Sequence, residues 1–337
     1  MKSLLSRRQC LISVLWYFLA ALAALLIAPW IGSERIDLQQ VFADLTEKGS
    51  WSTDTQIFVH QRLPRVILAF LVGGSLAMAG AVFQVILRNP LATPYTLGIT
   101  GGGTVGAYLA ISLTGLSFQL GPFGSVQLLA LVGSGVTLVL IYVLAKRPQG
   151  ISMNTLLLTG VTIGILCSAV ILLIRYLVSP HLLVGMDRWM MGSLDVVGYS
   201  DLAGLFPFLL PGIGLLLMQT ARLNHLSLGS DLAYSHGVNV AAVQRDVFIG
   251  GGLATASVVS LAGPIGFVGL IVPHTIRTLS GYDHRVIIPA AFLGGGAFLV
   301  ACDTIARTIV APTEMPVGII TAIVGGPFFI HLLLKKN

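Results

Sequence analysis

Residues 62–92, RLPRVILAFLVGGSLAMAGAVFQVILRNPLA, decide the fold class. Arg62 and Arg65 stand at one end and Arg88 at the other, and Val66 to Leu87 between them carry no charge. At about 1.5 Å per residue, a helix of that length covers the roughly 30 Å of a bilayer's hydrocarbon core. Gly73, Gly74, Ala77, Ala79 and Gly80 remove bulk, which lets neighbouring helices approach closely in lipid. Pro90 disfavours helix at Asn89 and turns the chain. The stretch reads as a membrane helix with basic ends.

The rest of the chain has the same character. Of 337 residues, 55% are hydrophobic and 9% charged, and the mean hydropathy is +0.91. That is too little charge to cover the surface of a soluble protein of this length. The expectation is an all-α, polytopic membrane protein, with residues 1–337 forming a single transmembrane domain. The 39 glycines and 15 prolines agree, since both are commoner in membrane helices than in soluble ones. The net charge of +6 then says nothing about nucleic acid. Cys10, Cys167 and Cys302 lie in or beside apolar runs without paired spacing, which argues against a disulfide framework or a zinc site. Arg7-Arg8 before Leu11 to Ile27 has the outline of a signal peptide, but the apolar run continues through Trp30, so an uncleaved first helix is expected.

Charges, prolines and glycines divide the apolar sequence into about ten spans: Leu11–Ile31, Val66–Leu87, Thr93–Leu113, Val126–Ala145, Thr155–Val178, Leu202–Thr220, Val247–Leu261, Ile265–Leu279, Val286–Val310 and Val317–Leu334. The run between Asp246 and Arg277 exceeds one helix, and Gly263-Pro264 is the natural break. With ten spans and a cytoplasmic N-terminus, the inner ends hold Lys2, Arg7, Arg8, Arg88, Lys146, Arg147, Arg222, Arg245, Arg277, Arg285, Lys335 and Lys336. The outer ends hold Arg35, Lys48, Arg62, Arg65, Arg175, Arg188 and Arg307. The positive-inside rule therefore favours both termini in the cytoplasm. The polar stretch from Gly32 to Gln61, with Glu47 among its acids, becomes an external loop. Residues 223–244 become the largest cytoplasmic segment, and Leu228, Leu232 and Val238 give it the pattern of a short surface helix that could lie on the membrane or dock on a partner.

The chemistry missing from the sequence narrows the function. It has no G-x-x-x-x-G-K-[ST] loop and so no P-loop nucleotide site. It has no H-E-x-x-H, and its histidines are scattered, so neither a metal site nor an intramembrane metalloenzyme is expected. Asp303 is the main acid inside a span, with Arg307 one helical turn on as its expected partner, which leaves few groups for proton or sodium relay. A pore driven by a separate subunit fits best. A passive channel or an ion-coupled secondary transporter is the competing class.

Several motifs in order resemble the permease subunits of the iron–siderophore, haem and vitamin B12 ABC importers, the type II importers. They are Arg62-Leu63-Pro64-Arg65, Gly80-Ala81 with Gln84, Arg88-Asn89-Pro90-Leu91-Ala92, Leu97-Gly98, the run Gly263 to His274, Asp283-His284-Arg285, Glu314 to Ala322, and Gly325-Gly326-Pro327. The resemblance implies a ten-helix permease that works as a homodimer with two cytoplasmic ATPase subunits and one periplasmic or lipid-anchored substrate-binding protein. ATP and Mg would be bound by the ATPase, and no cofactor by this chain.

The resemblance also implies site residues. Arg62, Arg65 and Arg307 would face outward and pair with acidic residues of the binding protein, although helix anchoring at the headgroups is the plainer use of such arginines. Leu228, Gly229, Ser230, Asp231, Leu232, Ala233, Tyr234, Ser235, His236, Gly237 and Val238 would form the coupling segment on the ATPase. Tyr234 and His236 depart there from the usual Arg and Leu. Asn89 and Leu91, with Met153 and Asn154, would form the cytoplasmic gate, and Trp189 to Leu194 an external segment. Arg175 sits in the apolar run Ala169 to Val178 and would either read an anionic ligand in the pore or snorkel to the outer interface. An iron chelate (ferric siderophore or haem) is the expected cargo, with vitamin B12 as the alternative.

Overall fold

The computed structural model describes residues 6–46, 51–113, 118–147, 150–196 and 198–334. Lys2, Glu47, Lys48, Lys335 and Lys336, used above for orientation and loop assignment, lie outside them. The chain runs through α1 (Arg7–Ile27, continued by a 3-10 turn), α2 (Leu38–Thr46), α3 (Thr53–Ile57), α4 (Leu63–Ile86), α5 (Ile99–Ser112), α6 (Ser125–Ala145), α7 (Met153–Leu177) and α8 (Pro180–Met190). It continues through α9 (Ser200–Met218), α10 (Thr220–Ser227), α11 (Ser230–Ser235), α12 (Val240–Ala262), α13 (Val268–Ser280), α14 (His284–Thr308) and α15 (Val317–Leu334). Two hairpins of two-residue strands, Gln119–Leu120 with Phe123–Gly124 and Lys146–Arg147 with Gly150–Ile151, close the loops beside α6.

Each expected span overlaps one helix, but the helices differ in length. Among the described residues, six helices are long and apolar enough to cross a membrane by length and composition: α1, the continuous rod from α3 into α4, α6, α7, α9 and α14. α5 and α13 have 14 and 13 residues, so each rises only about 20 Å. Thr93–Leu113 was expected as one run, but the chain is turned from 93 to 98. Thr93 and Thr96 hydrogen-bond each other's backbone there, and Gly98 takes φ 72, so the helix begins only at Ile99. Gly263, at φ 68, ends α12 where the Gly-Pro pair predicts.

α4 is the central helix, buried along most of its length. Its glycines are contact points: a Cβ on Gly73 would lie 2.2 Å from the Gly295 carbonyl oxygen of α14, and one on Gly80 would lie 2.1 Å from that of Gly269 in α13. The outward faces are apolar. Leu158 is 70% exposed and Tyr176 86%, as suits lipid or a second membrane chain better than water. Below, the end of the molecule where α1 begins is the proximal face and the end where it finishes is the distal face. The apolar core divides accordingly, with Val66, Leu68 and Leu299 in the distal cluster and Phe83, Leu97 and Phe248 in the proximal one.

Candidate functional site

The distal site is built by a break in helix hydrogen bonding. Pro64 has no N–H to give the His60 carbonyl, and the chain widens into a π-helical turn over Phe58–Arg62 in which Leu63 bonds back to Phe58. The two freed carbonyls are taken up by the segment before α9: Gly198 N–H donates to His60 at 2.7 Å, and the Tyr199 hydroxyl to Val59 at 2.9 Å. This junction carries Arg62 and Arg65 into a pocket of about 360 Å³ lined also by Glu34, Asp195, Arg307 and Glu314.

The three arginines converge here, and each has partners. Arg62 is buried, with its guanidinium donating to the backbone carbonyls of Pro29, Trp30 and Glu34. Gly32 leaves it room, because a Cβ there would fall 2.7 Å from the guanidinium. Arg65 donates from Nε to Asp303 at 3.0 Å and meets Asp195 at 3.3 Å. It also pairs with Glu314, and its side chain is only 12% exposed. Arg307 lies 3.0 Å from Asp303 as an ion-pair contact, and Asp303 itself is fully buried. Two arginines on one buried carboxylate offset its desolvation, which for an unpaired ion costs several kcal/mol. The sequence expectation that Arg307 is Asp303's partner is met, with Arg65 as a second partner that spacing along one helix cannot indicate.

Arg175 lies in the last turn of α7 and pairs with Asp187 of α8, with Tyr108 of α5 3.5 Å away. Its charge is therefore matched within the chain. Neither the pore nor the interface reading named Asp187. The available signal was an acid ten to fifteen residues after a lone intramembrane arginine, beyond the Pro180 break.

At the proximal face the expected short helix of residues 223–244 is two helices, α10 and α11. Leu223, Leu226 and Ala233 are buried against the body. Leu228, Leu232 and Tyr234 are turned outward, Tyr234 to 77%. Ser230 opens α11 after Gly229, Asp231 lies in its first turn, Ser235 closes it, and His236 follows with its ring 5.5 Å from that of His225. Gly237 takes φ 75 and donates to Tyr234, and Val238 donates to Ala233, so the helix ends in a left-handed cap. Nothing lies within 4 Å of a Cβ placed on Gly237.

Asn224 of α10 uses both ends of its amide. Its Nδ2 donates to Asp283 Oδ1 at 2.8 Å, and its Oδ1 accepts from the His284 backbone N–H at 2.8 Å and meets His284 Nδ1 at 2.7 Å. Asp283 caps α14 and receives the Arg285 guanidinium at 2.6 Å. Burial alone would raise the Asp283 carboxyl, but hydrogen bonds from Arg285 and Asn224 outweigh it and hold the group well below the usual carboxylate range. The sequence reading assigned Asn224 and Asp283 no partner.

The gate residues lie at the same face. Asn89 accepts from Leu91 N–H at 2.9 Å, forming the turn that Pro90 demands, and Leu91 is exposed. Met153 packs partly into the proximal core, and Asn154 is exposed in the first turn of α7. Their elements meet where Gly98 and Leu97 lie against Gly160. Arg88, just before Asn89, is one of two non-glycine residues with positive φ among those described, at 48, and reaches Ser230 at 3.4 Å.

A family model described as the FecCD transport family matches residues 19–335. The hemin transport system permease protein HmuU of Yersinia pestis is 38% identical over 300 residues, covering 85% of this chain and 87% of that protein. The cobalamin import system permease protein BtuC of Halobacterium salinarum is 41% identical, covering 82% and 73%. A solved chain of a metal-chelate type ABC transporter in an inward-facing conformation superposes with a TM-score of 0.82 at 30% identity, covering 97% of this chain and 99% of that one.

Proposed function

From the premise that this chain belongs to the FecCD transport family of ABC importer permeases, we propose that it carries an iron chelate, a ferric siderophore or haem, into the cell. Membership decides against the ion-coupled secondary transporter. The hemin relative and the metal-chelate neighbour support an iron chelate, and the cobalamin relative keeps vitamin B12 as the alternative. An importer permease works with an ATPase and a substrate-binding protein. In the finer reading two copies of this chain pair with two ATPase subunits and one binding protein in the bacterial inner membrane. The chain itself carries no catalytic residue, cofactor or metal, and ATP and Mg belong to the ATPase. Residues 1–337 act as one transmembrane domain.

The proximal face is then cytoplasmic, with both termini inside. The exposed apolar residues of α10–α11 support ATPase docking there, and Asn89, Leu91, Met153 and Asn154 gate the pathway. The observation that carries the reading is the pairing of a distal, arginine-lined pocket with a proximal segment that exposes Leu228, Leu232 and Tyr234. Arg62, Arg65 and Arg307 line this pocket as the docking site for the binding protein, and Arg65 meets an acidic partner by exchanging Glu314 or Asp195 for the partner's carboxylate. Arg175, matched by Asp187, would likewise exchange its partner for an anionic ligand.

The test is uptake into proteoliposomes that contain ATP, with the ATPase inside and the binding protein outside, using a ferric hydroxamate, haem and cobalamin in turn. ATP-dependent uptake of an iron chelate supports the proposal. Uptake of cobalamin alone moves the cargo to the alternative, and uptake that persists without the ATPase contradicts the importer reading.

A further inference from the structure

α4 and α14 are packed backbone to backbone at Gly73 and Gly295, where a side chain on either would collide with the other's main chain. Such a contact lets neither helix slide freely, so the two move as one body. Both helices have a foot at each face of the molecule. At the distal face, Arg65 of α4, which lines the arginine-rich pocket, donates from Nε at 3.0 Å to Asp303 of α14 buried behind it. At the proximal face, the N-terminus of α14 holds α10 through Asp283, His284 and Asn224. The turn after α4 touches the start of α11 through Arg88, held at a positive φ that a side chain adopts only under constraint.

Resting on the importer reading above, we propose that the α4/α14 pair is a strut by which docking of the binding protein at the distal pocket sets the position of α10–α11, and that Asn224 is the positioning residue at its cytoplasmic joint. The strut is about 37 Å long, the rise of the 25 residues of α14. It carries a buried carboxylate near each face, Asp283 as its N-cap and Asp303 more than one turn before its distal end. Repartnering of Arg65 when an acidic surface docks changes the contacts of Asp303, and a rigid helix pair delivers that change to Asn224. Gln219, at the start of α10, is more deeply buried than Asn224 but bonds to Asp246 of α12 at 3.0 Å and so lies off the strut.

The test uses the full complex of permease, ATPase and binding protein in proteoliposomes, with the binding protein itself as the probe and ATP as the only small molecule. The readout is the ratio of hydrolysis with binding protein to hydrolysis without it, and complex assembly is followed by size exclusion. Asn224→Leu, which removes both ends of the clasp, is expected to lower the ratio about fivefold, the scale of an ordinary coupling between sites. The swap Asn224→Asp with Asp283→Asn, which again sets an amide against a carboxylate, restores most of it. Gln219→Leu, which breaks a comparable bond on the same helix, leaves the ratio near wild type. An unchanged ratio in Asn224→Leu, an equal loss in Gln219→Leu, or a swap that restores neither ratio nor assembly overturns the strut while leaving the importer reading intact. A wild-type complex that the binding protein does not stimulate contradicts both.

Discussion

At the distal face charge is abundant and already matched: Arg65 alone meets Asp195, Asp303 and Glu314. At the proximal face, the segment between α9 and α12 presents Leu228, Leu232 and Tyr234 to the surroundings and holds Asn224 against Asp283 on its inner side. The two ends are therefore prepared for different partners. An acidic protein arriving at the distal face gains only the difference between two sets of ion pairs, so association there is adjustable, reversible and sensitive to salt. A partner at the proximal face gains buried apolar area, which salt does not screen.

The largest effect tests the distal end. Asp303→Asn leaves Arg65 and Arg307 sharing a neutral group in a buried site, and loss of one partner from such a set costs about 3–5 kcal/mol. Thermal unfolding in detergent should fall accordingly. A change within about 0.5 kcal/mol, as for an ordinary surface substitution, would mean that the cluster is not structural. Next comes Gly237→Glu at the proximal end. A side chain at φ 75 strains the cap by about 1–2 kcal/mol, and Glu adds charge on the segment proposed to meet the ATPase. Transport and stimulated hydrolysis should both drop about tenfold or more, whereas Gly237→Ala carries the strain alone. Full activity in the Glu variant would detach the segment from the ATPase.

Glu314→Gln sharpens the comparison from the other side. It removes a half-exposed competitor for Arg65, so the binding protein should bind a few-fold more tightly, since exposed pairs contribute up to about 1 kcal/mol. Weaker binding would mean that Glu314 itself touches the partner. Arg175→Ala should slow uptake of the iron chelate, with Arg175→Lys keeping part of the rate, because Lys has no planar fork to span Asp187 and Tyr108. Lys at the full wild-type rate would make Arg175 an anchor.

The smallest effect is one of pH. The Asp283 carboxyl is held below its ordinary value of 3.8, so its contribution is fully present above that value and is lost as pH falls through the lower folded one. The stability gap between wild type and Asp283→Asn should be level from neutral pH down to about 5 and narrow in stronger acid. A gap that changes between pH 6 and 8 would assign the clasp to another group.

The long helices were legible because a charge-free run such as Val66–Leu87 has few alternatives in lipid, and the Gly-rich positions that permit close packing are visible in it. Gly263-Pro264 was legible as a break because backbone conformation there depends on the residues themselves. The start of α5 was misplaced because the run from Thr93 is apolar enough for helix, while side-chain to backbone bonds from Thr93 and Thr96 hold it in turns. The ion pairs were only partly legible. Asp303 with Arg307 follows from helical spacing, but Arg65 with Glu314, Arg175 with Asp187 and Asn224 with Asp283 join segments far apart or separated by a break in the chain. Those pairings follow from how the helices pack, which periodicity along one helix does not contain.

The comparison between the two ends is tested most directly by one salt titration of the assembled complex. Permease, ATPase and binding protein are mixed in detergent and their association is followed by size exclusion as salt rises from about 0.05 to 0.5 M, a range over which the screening length falls several ångströms below the physiological 8 Å. The expected result is that the binding protein dissociates progressively while the ATPase stays bound. A binding protein that remains bound at the highest salt while the ATPase is released would contradict it.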